Sequence, residues 1–554
     1  MIKKYISIIV FFWSVTLYCL NLHLNLFDNL NIALFWVSIV LIIGMLIYHI
    51  LYLENKKFVL FEIVVFYLLL HIVYQVGYYG FHGTDSYSDY NFLKTIVNDH
   101  YFVLGEDMIT SWPLLHISTS SLFMITKIDL LFLAKFFPLF ISTIIVVPIY
   151  LLVENVYKNK KVALFSCLLF GTIPQFSFFE TLFVREVLGI FVFILFFYML
   201  YIAKQKNDFR LILLTTLLIP TMVLSHHFSS FMLIILLTIY IVCSKFLYRL
   251  LYKLFKGNLN LKFNKINIDN FYIVTLGIIL TYWLYNATFI FKNFFRSFYE
   301  IVGVEETISY AGRIELSGPI VTLRGNIIFY GFFIFAGILC LILLIKIILK
   351  RYERVIEDFS FTAFLYFCFF SGFLSLFFIG SVIFPERFLP FGWMLGLIPL
   401  TLFIFSLKNK KYKKILFIIV ISFLFFNIYN IDPNYYTGNA AIEGGVATVK
   451  EYAIAETINI SEAYYGYNGI FGAVYDVQGI NYSFKSDPIR TSNFFYFAKY
   501  AVINEGMYLN YLELTKTKSP DTYSKIRTVL SYEDYYDINK ISDLGNIFVL
   551  KWGK

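Results

Sequence analysis

Acidic side chains gather in the polar stretch 78–113, the first long polar interruption of an otherwise apolar N-terminal half. Asp85 and Asp89 lie near its start, at a spacing that would place both on one face of a helix. A carboxylate at a membrane boundary can act as a general base, because partial burial raises its pKa toward the working pH. It can also hold a divalent cation that neutralises a phosphate leaving group. A long loop also needs acids for solvation, but the position directly after an apolar run favours chemistry.

Arg185 and Glu186 interrupt what could be one apolar run over 176–202. Charges within or beside a membrane span are costly, which makes them candidates for function. The alternative is a structural pair between the two side chains at the membrane interface.

Three further polar side chains lie in short turns between apolar runs. His226 and His227 could donate to a phosphate or assist proton transfer, or they could only cap a helix end. Arg387, in a Pro-Glu-Arg turn, could bind a phosphate through its forked guanidinium, or its side chain could snorkel beside a headgroup. The loop 292–325 mixes charges with glycines, as a loop that closes over a substrate would.

The elements that position these residues are apolar helices. The chain is 59% hydrophobic, and runs of about 18–22 apolar residues recur, long enough to cross ~30 Å of hydrocarbon. They do not alternate as the strands of a membrane barrel do. The predicted fold class is therefore an all-α polytopic membrane protein with about 13 transmembrane helices. The expected spans are 5–20, 32–53, 58–77, 130–153, 162–179, 186–203, 209–226, 229–248, 271–291, 326–349, 359–380, 388–407 and 414–431.

Lysine and arginine cluster in the connections that this count places on one side of the membrane. Such connections face the cytoplasm, so the net charge of +9 reflects orientation and gives no reason to expect nucleic-acid binding. We expect a multi-pass protein of the cell membrane with a cytoplasmic N-terminus and outward loops at 78–129 and 292–325. Within the first loop, 114–125 is apolar but short, which favours an interfacial or re-entrant helix.

Two domains are expected, a transmembrane domain over 1–431 and an extracytoplasmic domain over 432–554. The second is predicted to be a small α/β or α+β domain with a helix over 438–458 and strands at 470–475, 500–504 and 547–551. Asn459 and Asn481 begin glycosylation sequons, whose use the sequence does not decide.

Several function classes lack support. The chain contains no P-loop, Rossmann fingerprint, His-Glu-x-x-His or Gly-x-Ser-x-Gly pattern. All five cysteines fall in expected spans, so their spacing indicates neither a metal site nor a disulfide framework. ATP-driven transport and the common hydrolase mechanisms are therefore not indicated.

Together, these features resemble the GT-C class of integral membrane glycosyltransferases, which use lipid-phosphate-linked sugars. The segment 83–89 (Gly-Thr-Asp-Ser-Tyr-Ser-Asp), followed by 112–116 (Trp-Pro-Leu-Leu-His), looks like the first outward loop of that class. The segment 183–186 (Phe-Val-Arg-Glu) is similar to a later loop that supplies polar contacts, and 385–389 (Pro-Glu-Arg-Phe-Leu) looks like the turn whose arginine meets the lipid phosphate. The sequon-reading Trp-Trp-Asp-Tyr-Gly motif of the oligosaccharyltransferase branch is absent, which argues against that branch.

The resemblance implies transfer of a sugar from a polyprenyl-phosphate donor to an envelope glycan, lipid or protein acceptor at the outer face. It implies that the Asp85 carboxylate is the catalytic group, as a base or a metal ligand, with Asp89 as the second choice. Arg387 then contacts the lipid phosphate, with Arg185, Glu186, His226 and His227 as further binding residues. No cofactor is implied with certainty; a divalent metal, Mg or Mn, could be held by Asp85. The alternatives are an envelope polysaccharide polymerase or ligase, or a non-enzymatic membrane permease or scaffold.

Overall fold

The structure is a computed structural model that describes only part of the chain. The described residues are 2–25, 32–76, 81, 85–105, 109–172, 181–242, 268–288, 338, 342, 391, 398, 400–407, 409–429, 464–466, 500–504, 538–543 and 547–552.

Helices make up most of this described part. In chain order they are α1 (Ile2–Asn25), α2 (Ile32–Tyr52), α3 (Lys56–Val76), α4 (Asp85–Asp99), α5 (Leu114–Thr126), α6 (Leu130–Ile144), α7 (Val146–Tyr157), α8 (Lys160–Phe170), α9 (Arg185–Lys206), α10 (Phe209–Ser225), α11 (His227–Val242), α12 (Ile268–Asn286) and α13 (Lys410–Tyr429).

Four stretches of these helices are long and apolar enough to cross a membrane: Lys4–Leu22, Ala33–Tyr52, Leu130–Tyr157 and Arg185–Lys206. Several others coincide with expected spans within a few residues. The apolar helices agree with a multi-pass membrane protein. The expected spans 326–349 and 359–380 lie outside the described residues apart from two single positions, so the full count of spans stays a prediction.

Two expected spans differ in detail. The span expected at 130–153 consists of α6 and α7, which meet at Ile145 and continue to Tyr157. The span expected at 162–179 is described only up to Thr172, and α8 ends at Phe170, so its helix is shorter than predicted over this part. Periodicity alone could not locate this end, because the residues after Phe170 remain largely apolar.

The polar stretch after α3 is not simply a loop, because it contains α4. This helix is polar overall, but Ser86, Asp89, Tyr90 and Leu93 recur at helical spacing and are all buried. The face they form packs against α5. The short apolar helix expected at 114–125 is confirmed as α5, with Pro113 at its N-cap.

The core forms around α9, which packs against α6, α7, α10 and α11 and is buried along most of its length. The Tyr67 hydroxyl of α3 donates to the Cys167 carbonyl at 2.7 Å and so connects α3 to α8. A side chain at Gly171 would collide with the Tyr67 ring, since a Cβ there would lie 2.0 Å from a ring carbon. Glycine therefore permits the close approach of α8 to α3.

A buried polar cluster joins α1, α2 and α3 near the start of α3. His49 Nδ1 lies 2.8 Å from Glu62 Oε2, and His49 Nε2 lies 2.9 Å from Ser7 Oγ. The side chains of His49 and Glu62 are fully buried. Because burying a charge costs free energy unless the charge is paired, this cluster stabilises the arrangement of the first three helices only while it is complete.

Four strands are described near the C-terminus: β1 (Tyr464–Gly466), β2 (Tyr500–Asn504), β3 (Ile538–Asp543) and β4 (Ile547–Trp552). They form one sheet in the order β1-β2-β4-β3, with β1 parallel to β2 and the other pairs antiparallel. The strands expected at 500–504 and 547–551 are confirmed. The helix expected at 438–458 and the strand expected at 470–475 lie outside the described residues.

Candidate functional site

Asp89 contacts side chains from two different helices. Its side chain is 3% exposed on the inner face of α4. Nε2 of His116, on α5, lies 2.9 Å from Asp89 Oδ1 and donates a hydrogen bond to it, because an ionised carboxylate can only accept. Nε of Arg185, the first residue of α9, lies 2.9 Å from the same oxygen and forms an ion pair with it. A hydrogen bond to a charged group is about twice as strong as a neutral one.

The hydrogen bond and the ion pair fix the orientation of the carboxylate. Both fall on Oδ1, and within the described residues no side chain pairs with Oδ2. A buried carboxylate is stable in ionised form only when it is paired and hydrogen-bonded, which Arg185 and His116 provide. Asp89 is therefore held as a base or acceptor.

Aromatic rings hold His116 in place. The imidazole contacts Phe92 edge to face, with ring centroids 4.7 Å apart, and Phe183, with centroids 6.0 Å apart. Phe183 is in turn stacked with Phe81 at 6.1 Å. His116 is fully buried, and within the described part of the chain its Nδ1 has no hydrogen-bond partner. The ring is thus oriented by packing, and its Nε2 is directed at Asp89.

The segment 181–184 delivers Arg185 to this carboxylate. Its residues Thr181, Leu182 and Phe183 are buried. The Phe183 backbone N–H donates to Ser86 Oγ at 3.1 Å, and the Gln75 side-chain amide donates to the Thr181 carbonyl. Helices α3 and α4 therefore both hold the backbone that precedes Arg185.

His226 connects α10 to α11 and His227 begins α11, at the position where the sequence predicted a turn. His226 is extended, with φ of −160°, and its Nδ1 lies 3.1 Å from Ser229 Oγ. A Cβ at Gly189 of α9 would lie 2.7 Å from His226 Cβ, so α9 touches this turn directly. Gly189 follows Arg185 by one helical turn, about 6 Å along the axis.

A tryptophan connects the histidine turn to the first polar stretch. The Trp112 ring is fully buried, and its centroid lies 4.7 Å from that of His227. The neighbouring Ser111 accepts from the Tyr282 hydroxyl of α12 at its carbonyl and donates from Oγ to the Asn286 carbonyl at 3.1 Å. The residues just before α5 are therefore fixed against α11 and α12.

The structure joins two of the expected site residues, Asp89 and Arg185. The described ion pair of Arg185 is with Asp89, and Glu186 is half-buried in the first turn of α9. Asp85 begins α4, one turn before Asp89, but its side chain lies outside the described part, as does Arg387.

Sequence reasoning assigned no role to His116, Ser86 or Gln75. His116 is a histidine within a short apolar helix, and a polar side chain in that setting is a signal for function or for a buried partner. Ser86 and Gln75 act on backbone groups of a distant segment, for which a single sequence carries no signal.

The described donor set does not fit a divalent cation. Among the described residues, no three His, Cys, Asp or Glu side chains cluster at metal-binding distance. Asp89 and His116 come together as a pair, and the Arg185 guanidinium lies against the same carboxylate oxygen that a cation would use. The expectation of a metal held by Asp85 concerns a side chain outside the described part.

Residues 113–259 match the family model described as dolichyl-phosphate-mannose-protein mannosyltransferase. The match includes His116, Arg185 and both histidines of the turn, and begins after Asp89. It confirms the resemblance to the GT-C class of polyprenyl-phosphate-dependent enzymes and supports a membrane glycosyltransferase. No curated protein matches the chain.

Solved structures of low sequence identity are similar to the chain. One is an oligosaccharyltransferase from Archaeoglobus fulgidus in complex with Zn and sulfate, at 15% identity and a TM-score of 0.48, covering 88% of this chain and 73% of that one. Another is the oligosaccharyltransferase AglB from the same organism, in complex with an inhibitory peptide and a dolichol-phosphate, at 13% identity and a TM-score of 0.49, covering 90% and 75%. A third is ArnT from Cupriavidus metallidurans, bound to undecaprenyl phosphate, at 11% identity and a TM-score of 0.47, covering 90% and 98%. These similarities do not decide the branch of the class.

Proposed function

We propose that this protein is a membrane glycosyltransferase that moves a sugar from a polyprenyl-phosphate donor to an envelope glycan, lipid or protein acceptor at the outer face of the membrane. The observation that carries the proposal is the buried Asp89 carboxylate, which is held through Oδ1 by His116 and Arg185 and has no described partner at Oδ2. The family match over 113–259 supports the class of reaction. The proposal favours a GT-C enzyme outside the oligosaccharyltransferase branch, because the sequence lacks the Trp-Trp-Asp-Tyr-Gly motif of that branch.

The chemistry needs a base and an electrostatic partner. Asp89 Oδ2 accepts the proton of the acceptor group. The acceptor atom that carried this proton forms a bond to the anomeric carbon of the sugar. The bond from that carbon to the phosphate oxygen breaks, and the lipid phosphate leaves with the electron pair. Arg185 holds a positive charge beside the carboxylate, where it attracts the charge that develops on the leaving phosphate.

The position of these residues on their helices supports an outer-face site. Arg185 begins α9, whose other end carries Lys204 and Lys206. The histidine turn follows α10, whose other end carries Arg210. Apart from Arg185 itself, the lysine and arginine residues named on both helices lie at the end opposite the site, and basic ends face the cytoplasm. The proposed topology therefore has a cytoplasmic N-terminus.

The remaining expected residues keep secondary roles in the proposal. Asp85, the first choice from the sequence, lies one turn before Asp89 and stays a candidate for the base. Arg387 is the candidate for the far side of the lipid phosphate, with His226 and His227 beside α9 as further phosphate contacts and Glu186 as a polar contact. The domain proposed over 432–554 lies on the same outer side, where it can contact the acceptor.

The test uses the full chain reconstituted in nanodiscs with a panel of dolichyl- and undecaprenyl-phosphate sugars and a membrane extract as the source of acceptors. Mass spectrometry follows release of free polyprenyl phosphate. We expect release from at least one donor. A polymerase or ligase would instead consume only lipid-diphosphate oligosaccharides. A permease or scaffold would consume no donor, and either result would overturn the proposal.

A further inference from the structure

We infer that Ser86 and Gln75 are positioning residues, which set the approach of Arg185 to Asp89 by holding the backbone of the segment 181–184. This inference rests on the proposed function, because it assigns the two side chains to the same site. Neither side chain is expected to touch the substrate.

Helix α4 binds the segment at two places that share one face. Ser86 Oγ accepts from the Phe183 N–H at 3.1 Å, and three residues further on Asp89 Oδ1 forms an ion pair with Arg185 Nε at 2.9 Å. Ser86 is fully buried and Asp89 nearly so. The first contact fixes the backbone two residues before Arg185. The guanidinium is therefore already placed where it can pair with Asp89.

Helix α3 supplies the second fixed point through Gln75. The side chain is buried at the last turn of α3, and its amide nitrogen donates to the Thr181 carbonyl. Thr181, Leu182 and Phe183 are then held between α3 and α4. Within this segment the Val184 N–H donates to the Leu182 carbonyl at 2.9 Å, which forms a tight turn just before α9 begins.

The arrangement explains why α9 starts at a charged residue inside the protein. Val184, the N-cap position of α9, offers no side-chain cap, so the helix start is not fixed by a capping residue. Tertiary hydrogen bonds from Ser86 and Gln75 replace that local signal. Loss of either should loosen Arg185 relative to Asp89, and a misplacement of about 1 Å in a catalytic group costs on the order of 100-fold in rate.

The test measures turnover of a dolichyl- or undecaprenyl-phosphate sugar and thermal unfolding in the full chain. For Ser86→Ala we expect kcat to fall about 10- to 100-fold with KM for the donor nearly unchanged. Ser86→Thr keeps the hydroxyl and should recover most of kcat. Gln75→Met keeps the length but removes the donor, and should reproduce the kcat effect. Ser14→Ala is the matched control, because Ser14 is a buried serine whose described hydrogen bond is to the Val10 carbonyl within α1.

A double-variant cycle separates positioning from general destabilisation. If Ser86 acts through Arg185, the loss in Tm of the Ser86→Ala, Arg185→Gln double variant is smaller than the sum of the single losses. Additive losses, or a Ser86→Ala variant with unchanged kcat while Arg185→Gln is inactive, would overturn the inference. If the cycle shows coupling but Arg185→Gln and Asp89→Asn both turn over donor normally, the proposed function fails, and with it the catalytic part of the inference.

Discussion

Substituting Arg185 by glutamine removes the positive charge from the buried carboxylate of Asp89. The Arg185 side chain is 15% exposed and that of Asp89 3%, so the pair is largely screened from water. Removing one partner of a fully buried pair costs about 3–5 kcal/mol. The partial exposure of Arg185 and the remaining bond from His116 reduce this, so we expect a loss of about 2–3 kcal/mol in the free energy of unfolding.

Two readouts check this prediction. Thermal unfolding of the purified chain in detergent reports stability, and release of polyprenyl phosphate from a donor reports turnover per folded molecule. Arg210→Gln is the matched control, because Arg210 is exposed at the start of α10 and its loss should change neither. Turnover of Arg185→Gln should fall about 100-fold or more, since an electrostatic contact at the reacting centre is lost.

A charge-retaining variant sharpens the result. Arg185→Lys keeps the charge but lacks the planar guanidinium whose Nε lies 2.9 Å from Asp89 Oδ1, so it should recover part of the stability and little of the rate. If Arg185→Gln unfolds at the same temperature as the unchanged protein, Arg185 does not stabilise the buried Asp89 carboxylate and the reasoning is refuted.

Three further predictions concern other contacts. His116→Leu should lower stability by about 1–3 kcal/mol and slow turnover, because a buried hydrogen bond to the carboxylate is lost; circular dichroism melts and donor consumption measure both. Glu62→Gln should weaken the buried pair with His49 by about 3 kcal/mol while turnover per folded molecule stays normal; a Tm equal to that of the unchanged protein would contradict this. Gly189→Ala should lower stability by about 1–3 kcal/mol, because the new methyl meets the histidine turn, whereas Gly44→Ala, with no atom within 4 Å, should stay within about 1 kcal/mol; equal melts would contradict the difference.

The sequence predicted the helices because a long apolar run in a membrane has few possible structures other than a helix. It also predicted the turn at His226, where α10 ends, and the charged start of α9 at Arg185. These features are local, since hydropathy and charge along the chain decide them. The same logic placed acids beside a span, and so selected Asp85 as the first choice and Asp89 as the second.

The partners of Asp89 depend on packing that no local pattern encodes. Arg185 could have paired with its neighbour Glu186 as far as the sequence was concerned. The described structure pairs it with Asp89 because the segment 181–184 is held against α4 through Ser86. In the sequence His116 was noted only as the last residue of the segment 112–116. Its contact with Asp89 was not predicted, because it depends on how α5 packs on α4. Periodicity does not contain that information.

The most direct measurement of the central claim is single-turnover release of polyprenyl phosphate by three forms of the full chain: unchanged, Asp89→Asn and Asp99→Asn. Asp99 is exposed at the last residue of α4 and provides the same substitution on the same helix away from the site. We expect a loss of about 100- to 10,000-fold for Asp89→Asn, because a general base is removed, and no change for Asp99→Asn. A rate for Asp89→Asn equal to that of the unchanged protein would show that Asp89 is not the base.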